Sequence, residues 1–187
     1  MALEAAKLAG LPVRPDAFTL ARDFLLQEYD AKNGYFLYNR EPGRLRQSWR
    51  TLPASTPAAV FALRLLGTPA DDPRLVDGVS YTLERAPGRY AKASQDDFVL
   101  QAQGNTYFWY YGTLACFLTG GEVWSAWNER LKATLLPAQA KDGSFPPIDV
   151  YAEYAGDRGK NRAYTTALCV LSLEVYYRYF TPLLVGR

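Results

Sequence analysis

The chain has 187 residues, 49 % of them hydrophobic and 14 % aromatic, with 14 Tyr and 4 Trp; this fits one folded domain with a real core and excludes a disordered segment. Lys and Arg number 21 against 19 Asp and Glu, and the cations are scattered rather than striped, so nucleic acid is not an expected partner. Apolar stretches are broken within about a dozen residues, short of the ~20 a membrane span needs, and no transmembrane segment is expected.

From the N-terminus, Met1 to Leu11 carries Glu4 and Lys7 where a signal peptide would have its apolar core, so the compartment expected by default is the cytoplasm. The first candidate helix runs from about Asp16 to Tyr29, with Ala17, Leu20, Ala21, Phe24 and Leu25 at the spacing of one apolar stripe. A more apolar helix follows over Thr56–Leu66, opened by Thr56-Pro57 and stopped by Gly67. Next comes a helix opened by Asp72-Pro73, a capping side chain and a proline whose missing N–H costs nothing at that position; it continues through Val76, Val79 and Leu83. Thr106–Thr119 is again apolar, ended by Gly120-Gly121. A fifth helix places Trp124, Trp127, Leu131 and Leu135 on one face, and Ala163–Tyr179 is a sixth. Cys116 and Cys169 sit in apolar helical segments, where two buried thiols are expected rather than a disulfide.

The chain repeats itself. Gly34-Tyr35-Phe36, Gly88-Arg89-Tyr90 and Gly143-Ser144-Phe145 share the pattern glycine, any residue, aromatic, and their glycines fall 54 and 55 residues apart. Each triplet closes a half-buried helix and precedes a more apolar one. This alternation implies an all-α domain of about three helical hairpins in two layers, with repeats at about 16–67, 72–120 and 122–180 and no sheet.

Gln139-Ala140-Lys141-Asp142-Gly143-Ser144-Phe145 resembles the glutamine and aromatic repeat motif of squalene-hopene and oxidosqualene cyclases, with Phe in place of the usual Trp. Gln27 followed by Asn33-Gly34-Tyr35-Phe36 looks like a looser copy, and the middle repeat keeps Gly88 and Tyr90. The stretch Tyr107-Phe108-Trp109-Tyr110-Tyr111-Gly112-Thr113, with Gly120-Gly121, Trp124, Trp127-Asn128 and Leu173 to Tyr179, is similar to bacterial proteins carrying cyclase and prenyltransferase-type repeats. The resemblance implies a partial α/α toroid, in which glutamine ties a helix end to its neighbour, and it implies no reaction. About six hairpins close such a ring in those families, so this chain would make half of one.

The catalytic signatures of those families are missing. Asp71-Asp72 and Asp96-Asp97 are acidic pairs, but Pro69 and Ser94 stand where an Asp-x-Asp-Asp acid motif needs its first Asp. A chain with no His cannot reproduce the Asp, Cys and His zinc site of the protein prenyltransferases. No metal site and no cofactor are expected. The reading is a non-catalytic binding or assembly module that associates with itself or with a partner protein through open repeat edges and takes an apolar or glycan ligand. The alternative is an enzyme on an (α/α) barrel, cyclase-like or a glycan-active hydrolase or lyase, with Asp96, Asp97 and Glu174 as candidate carboxylates. A third alternative is a piece of a larger cyclase-like protein.

Tyr107, Trp109, Tyr110, Tyr111, Tyr164 and Tyr176 are the candidate ligand-binding aromatics, with helix packing as the competing role for the run in Thr106–Thr119. Glu174 lies in the apolar run Leu171 to Tyr177, where a buried carboxylate needs a partner, and Arg178 one turn on is the candidate. Asp142 belongs to an Asp-Gly turn. Asp149, Glu153 and Asp157 fall in a loop from Pro146 to Asn161, read as a lid or a mobile surface segment.

Overall fold

The computed structural model describes residues 1–39 and 51–178, with the side chains of Tyr177 and Arg178 outside the description. In chain order it holds α1 (Ala2–Leu8), α2 (Ala17–Gln27), β1 (Tyr29–Asp30), β2 (Tyr35–Phe36), α3 (Ser55–Leu65), α4 (Pro73–Glu84), α5 (Gln95–Leu100), α6 (Thr106–Thr119), α7 (Gly121–Leu135), α8 (Val150–Tyr154), α9 (Ala163–Leu173) and α10 (Val175–Arg178). The all-α expectation holds. A departure is the antiparallel β1–β2 pair, in which Tyr29 faces Phe36. Tyr29 leaves the helix expected to end on it because the chain turns back at Gly34, whose φ of +69° suits glycine. The end of the sixth expected helix, at Tyr179, lies outside the described residues.

Helix starts follow local chemistry. The Asp72 side chain accepts from the Arg74 backbone N–H at 3.0 Å with Pro73 at the first helical position, the cap expected for α4. Asn105 caps α6 by accepting from the Phe108 N–H at 2.8 Å. Ser94 accepts from the Asp97 N–H at 3.1 Å and donates to its carboxylate at 2.9 Å, opening α5.

A helix apolar on all sides must be covered on all sides, and α6 is that helix. It packs against α3, α4, α7 and α9. Phe108, Trp109 and Cys116 of α6 form one core cluster with Trp127, Leu131 and Leu135 of α7, Phe145 and Cys169. Leu114 and Ala115 of α6 form a second with Phe36, Val60, Phe61, Leu63 and Leu75. Each fully buried Leu or Phe contributes roughly 2 kcal/mol of transfer free energy. Cys116 and Cys169 are both buried free thiols, as expected.

Two apolar stripes are set differently from the periodicity. In α2, Leu20 and Phe24 are exposed, at 56 % and 59 %, while Leu25 and Leu26 pack on the core. In α4, Val76 is exposed and Leu75, Gly78 and Thr82 are buried. Gly78 explains the rotation of α4: a Cβ there would stand 2.5 Å from Val60 Cγ2 of α3, so the bare backbone is the contact face. The α7 stripe stands as read, with Trp127, Leu131 and Leu135 buried. Among the described residues no helix is long and apolar enough to cross a membrane.

The tightest approach is between α6 and α7. A Cβ on Gly112 would lie 2.2 Å from Trp127 Cη2, and Trp127 is held by donating Nε1–H to Thr113 Oγ1 at 3.0 Å, which itself donates to the Trp109 carbonyl at 2.7 Å. The ring cannot retreat without breaking a buried hydrogen bond. We expect Gly112→Ala to lower unfolding free energy by about 3 kcal/mol, as overpacking a tight core does. Gly88→Ala, at a glycine with open space around it, should change it by less than about 0.5 kcal/mol. Urea denaturation of the two variants checks both values.

Candidate functional site

Two repeat turns make the same structure. Gly34 and Gly143 have φ of +69° and +84°, and each lets the aromatic two residues later enter the core, where Phe36 and Phe145 are fully buried. The Phe36 N–H donates to Thr56 Oγ1 of α3 at 3.0 Å, and the Phe145 N–H donates to Thr166 Oγ1 of α9 at 3.1 Å. Each turn thus plugs a ring beneath the following apolar helix and bonds to its first turns. In the third repeat Asp142 accepts from the Ser144 N–H and hydroxyl at 3.0 and 2.7 Å, and these bonds hold its carboxyl below the usual range. Gln139 does not reach a neighbouring helix as the cyclase resemblance implies; its amide donates to the Gly143 carbonyl at 3.0 Å and closes its own turn. The residue at the matching place in the first repeat is Asp30, four before Gly34, rather than Gln27. Its carboxylate accepts from the Lys32 N–H and the Asn33 amide at 3.0 and 2.8 Å.

In the middle repeat Gly88 is not among the glycines with positive φ, and Tyr90 does different work. Its ring lies 6.0 Å from that of Trp109 and 6.1 Å from that of Phe145, and its hydroxyl donates to the Pro146 carbonyl at 2.6 Å. That bond is the first pin on the segment from Pro146 to Asn161. Asp149 is the second. This carboxylate, 4 % exposed, accepts from the Thr106 N–H and hydroxyl at 2.9 and 2.7 Å and from the Ala152 N–H at 2.9 Å, joining the N-termini of α6 and α8. Asp157, 2 % exposed, accepts from the Tyr164 N–H at 3.0 Å and from the Thr165 N–H and hydroxyl at 2.8 and 2.7 Å. It caps α9, whose own N-cap residue is Arg162 and offers no acceptor side chain.

The segment read as a lid or a mobile surface loop is therefore anchored and contains a helix, α8. Sequence inspection grouped Asp149, Glu153 and Asp157 but missed the two buried caps, because their partners are set by packing. The signal available was the pair of threonines, Thr106 and Thr165, each near the start of an apolar helix.

Beside α8 lies a cleft of about 410 Å³, lined in part by Lys92, Asp149, Glu153, Asp157 and Arg158. Lys92 Nζ stands 3.4 Å from Glu153 Oε1, both well exposed, an ion pair that adds little to stability. A second cleft, about 420 Å³, lies by the first repeat turn between Asp77, Tyr81 and Arg85, with the Arg85 guanidinium 3.7 Å above the Tyr81 ring and Tyr29 donating its hydroxyl to Asp77. No group of His, Cys, Asp and Glu among the described residues is placed to hold a metal ion.

The candidate carboxylates named from the sequence do not share a cavity. Asp96 and Asp97 lie in the first turn of α5, where acidic groups suit the helix N-terminus, and Asp97 stands 3.9 Å from Arg89. Glu174, read as a carboxylate in an apolar run, is exposed at the C-terminal end of α9 while its neighbour Val175 is fully buried; the Arg178 side chain lies outside the described residues.

The candidate aromatics divide into separate groups. Trp109 is 2 % exposed and belongs to the core. Tyr176 packs against Trp124 and Phe117 at 5.2 and 6.1 Å and accepts from the Asn128 amide at 2.6 Å. Phe117 is about 15 Å along α6 from Tyr107, so this cluster is separate. Tyr107, Tyr110 and Tyr111 gather near the start of α6, joined by Tyr151 of α8, while Tyr164 lies in the first turn of α9 with its N–H on Asp157. Tyr107 is 4.9 Å from Tyr111 and 6.0 Å from Tyr151, and Tyr110 is 5.1 Å from Tyr111, all edge to face. Burial raises the phenols of Tyr107, Tyr151 and Tyr164 above their ordinary value, Tyr151 to about 12, and the Asp149 carboxylate adds to the rise of Tyr151 and Tyr164.

Replacing Asp149 with Asn should keep the shape of the α6–α8 junction but withdraw the charge and put an amide against N–H donors. We expect a loss of about 2–4 kcal/mol in urea denaturation, larger than for an ordinary exposed N-cap. The tyrosines set an alkaline limit. Their folded pKa values lie above the value of 10.0 for a free phenol, with Tyr29 and Tyr151 at about 12, so the folded state favours the neutral form. That stability is whole below about pH 10 and is lost as pH rises towards 12. The urea midpoint should fall steeply only above about pH 10, with the tyrosinate absorbance rising in step.

No protein-family model matches the chain, and neither the curated proteins nor the solved structures give a match to it.

Proposed function

We propose that this chain is a non-catalytic α/α-toroid-like binding and assembly module related to the terpene cyclase repeats. The observation that carries the reading is the use made of the carboxylates in the cleft. Asp149 and Asp157 each accept three hydrogen bonds from helix N-termini and their threonines, which commits most of their acceptor positions to structure. Glu153 is left beside Lys92 at the cleft edge, and a single exposed carboxylate does not make the acid and base pair that glycoside cleavage uses. The tyrosines near the start of α6 offer ring surface and hydroxyls, which suits holding a ligand.

The assembly half of the reading takes a second copy of the chain as its partner. Three repeats amount to half of the ring in the resembled families, and Leu20 and Phe24 leave an apolar edge on the first of them.

Incubation with squalene, farnesyl diphosphate and soluble glucans, followed by mass spectrometry, tests the catalytic alternative. The module reading expects a saturable rise in thermal midpoint with a ligand and no product. Product that disappears in Glu153→Gln would overturn it. In light scattering over a dilution series, the native chain should give a dimer that Leu20→Glu and Phe24→Glu dissociate.

A further inference from the structure

Two repeats deliver tyrosine to one surface. Tyr107 and Tyr111 stand on α6 of the second repeat, and Tyr151 on α8 of the third meets Tyr107. Tyr107 is 37 % exposed and Tyr154 of α8 87 %, while Tyr111, Tyr151 and Tyr164 are half-buried. Tyr107 and Tyr151 are braced: Tyr151 meets Phe98 at 5.1 Å and Tyr107 at 6.0 Å, both edge to face, while Tyr154 projects from the end of α8.

This face adjoins the cleft, because α8 walls both. Tyr151 and Tyr154 stand on the same short helix as Glu153, with Asp149 at its N-cap.

The chemistry of the face selects among ligands. A purely apolar ligand would strip water from several phenol hydroxyls and return no hydrogen bond to them, a cost that Phe in the same places would avoid. Two cations, Lys92 and Arg158, face three carboxylates at the cleft, of which Asp149 and Asp157 are committed to buried caps, so no strong excess of one charge calls for an ion. Rigid rings at different angles, hydroxyls around them and a cleft of about 410 Å³ suit a ligand with apolar ring faces and a hydroxylated rim; that volume lies within the usual range for small-molecule sites.

We infer that the tyrosine face and the adjoining cleft bind a neutral carbohydrate chain, stacked on Tyr107 and Tyr154 and hydrogen-bonded at its cleft end by Glu153 and Lys92. This inference rests on the binding-module reading and names the ligand class of its site.

Isothermal titration with cellopentaose, maltopentaose, laminaripentaose and chitopentaose, with farnesol as the apolar comparator, tests it. At least one sugar should bind, more tightly as a pentasaccharide than as a trisaccharide. Tyr107→Ala and Tyr154→Ala should each weaken it about tenfold, the loss expected for one stacking ring. Tyr107→Phe, which keeps the ring and guards against misfolding, should retain most of the affinity, and Tyr176→Ala in the separate cluster should leave it unchanged. Sugar binding untouched by both alanine variants would overturn the assignment, as would no binding by any of the four. Farnesol binding alone would sink the carbohydrate assignment and leave the module reading standing. Cleavage of a bound sugar would do the reverse.

Discussion

The N-terminal end of α6 is where the structure is most constrained. A helix with apolar side chains on all sides must be enclosed, and enclosure takes water away from the backbone N–H groups of its first turn. Those donors must then be matched from within the protein. Asn105 satisfies one locally, and Asp149 satisfies another from 43 residues away while also accepting from α8. Burying that carboxylate is tolerable because three donors surround it. Asp157 repeats the arrangement at α9 with Thr165 in place of Thr106.

These two caps explain why the segment after the third repeat turn lies where it does. It leaves Phe145 in the core, passes under the Tyr90 hydroxyl at Pro146, binds α6 through Asp149, forms α8, and binds α9 through Asp157. The middle repeat has diverged in the place that makes this possible. Where Phe36 and Phe145 are plugs, Tyr90 is a half-buried ring with a hydroxyl, and that hydroxyl holds the segment. The loss of strict repetition there brings a tie between the second and third repeats.

The same geometry separates structure from ligand chemistry in the site. Carboxylates that serve as buried caps define one wall of the cleft, while the exposed groups, Lys92, Glu153 and Arg158, sit at its edge. Tyrosines of α6 and α8 meet beside it because the α8 segment is bonded to the starts of both α6 and α9. Edge-to-face packing fixes the rings of Tyr107, Tyr111 and Tyr151, and the Tyr107 hydroxyl bonds to that of Tyr111 at 3.5 Å, so the surface is held by its rings and polar at its rim.

Much of this was legible in the amino-acid order. The bounds of α6, the Asp72-Pro73 start of α4, the α7 stripe and the turns at Gly34 and Gly143 follow from local chemistry: apolar period, capping side chains and glycine at positive φ. Local patterns could not tell that Leu20, Phe24 and Val76 face outward, since a stripe names a face and only the neighbouring helix decides which part of it is used. Nor could they tell that Asp149 and Asp157 are buried or that Tyr107 and Tyr151 meet. By itself, the sequence determined an all-α chain with an internal repeat and an aromatic-rich apolar helix, because these depend on residues a few positions apart. Tertiary structure decided the site, because its contacts join residues tens of positions apart that become neighbours only when α6 is enclosed.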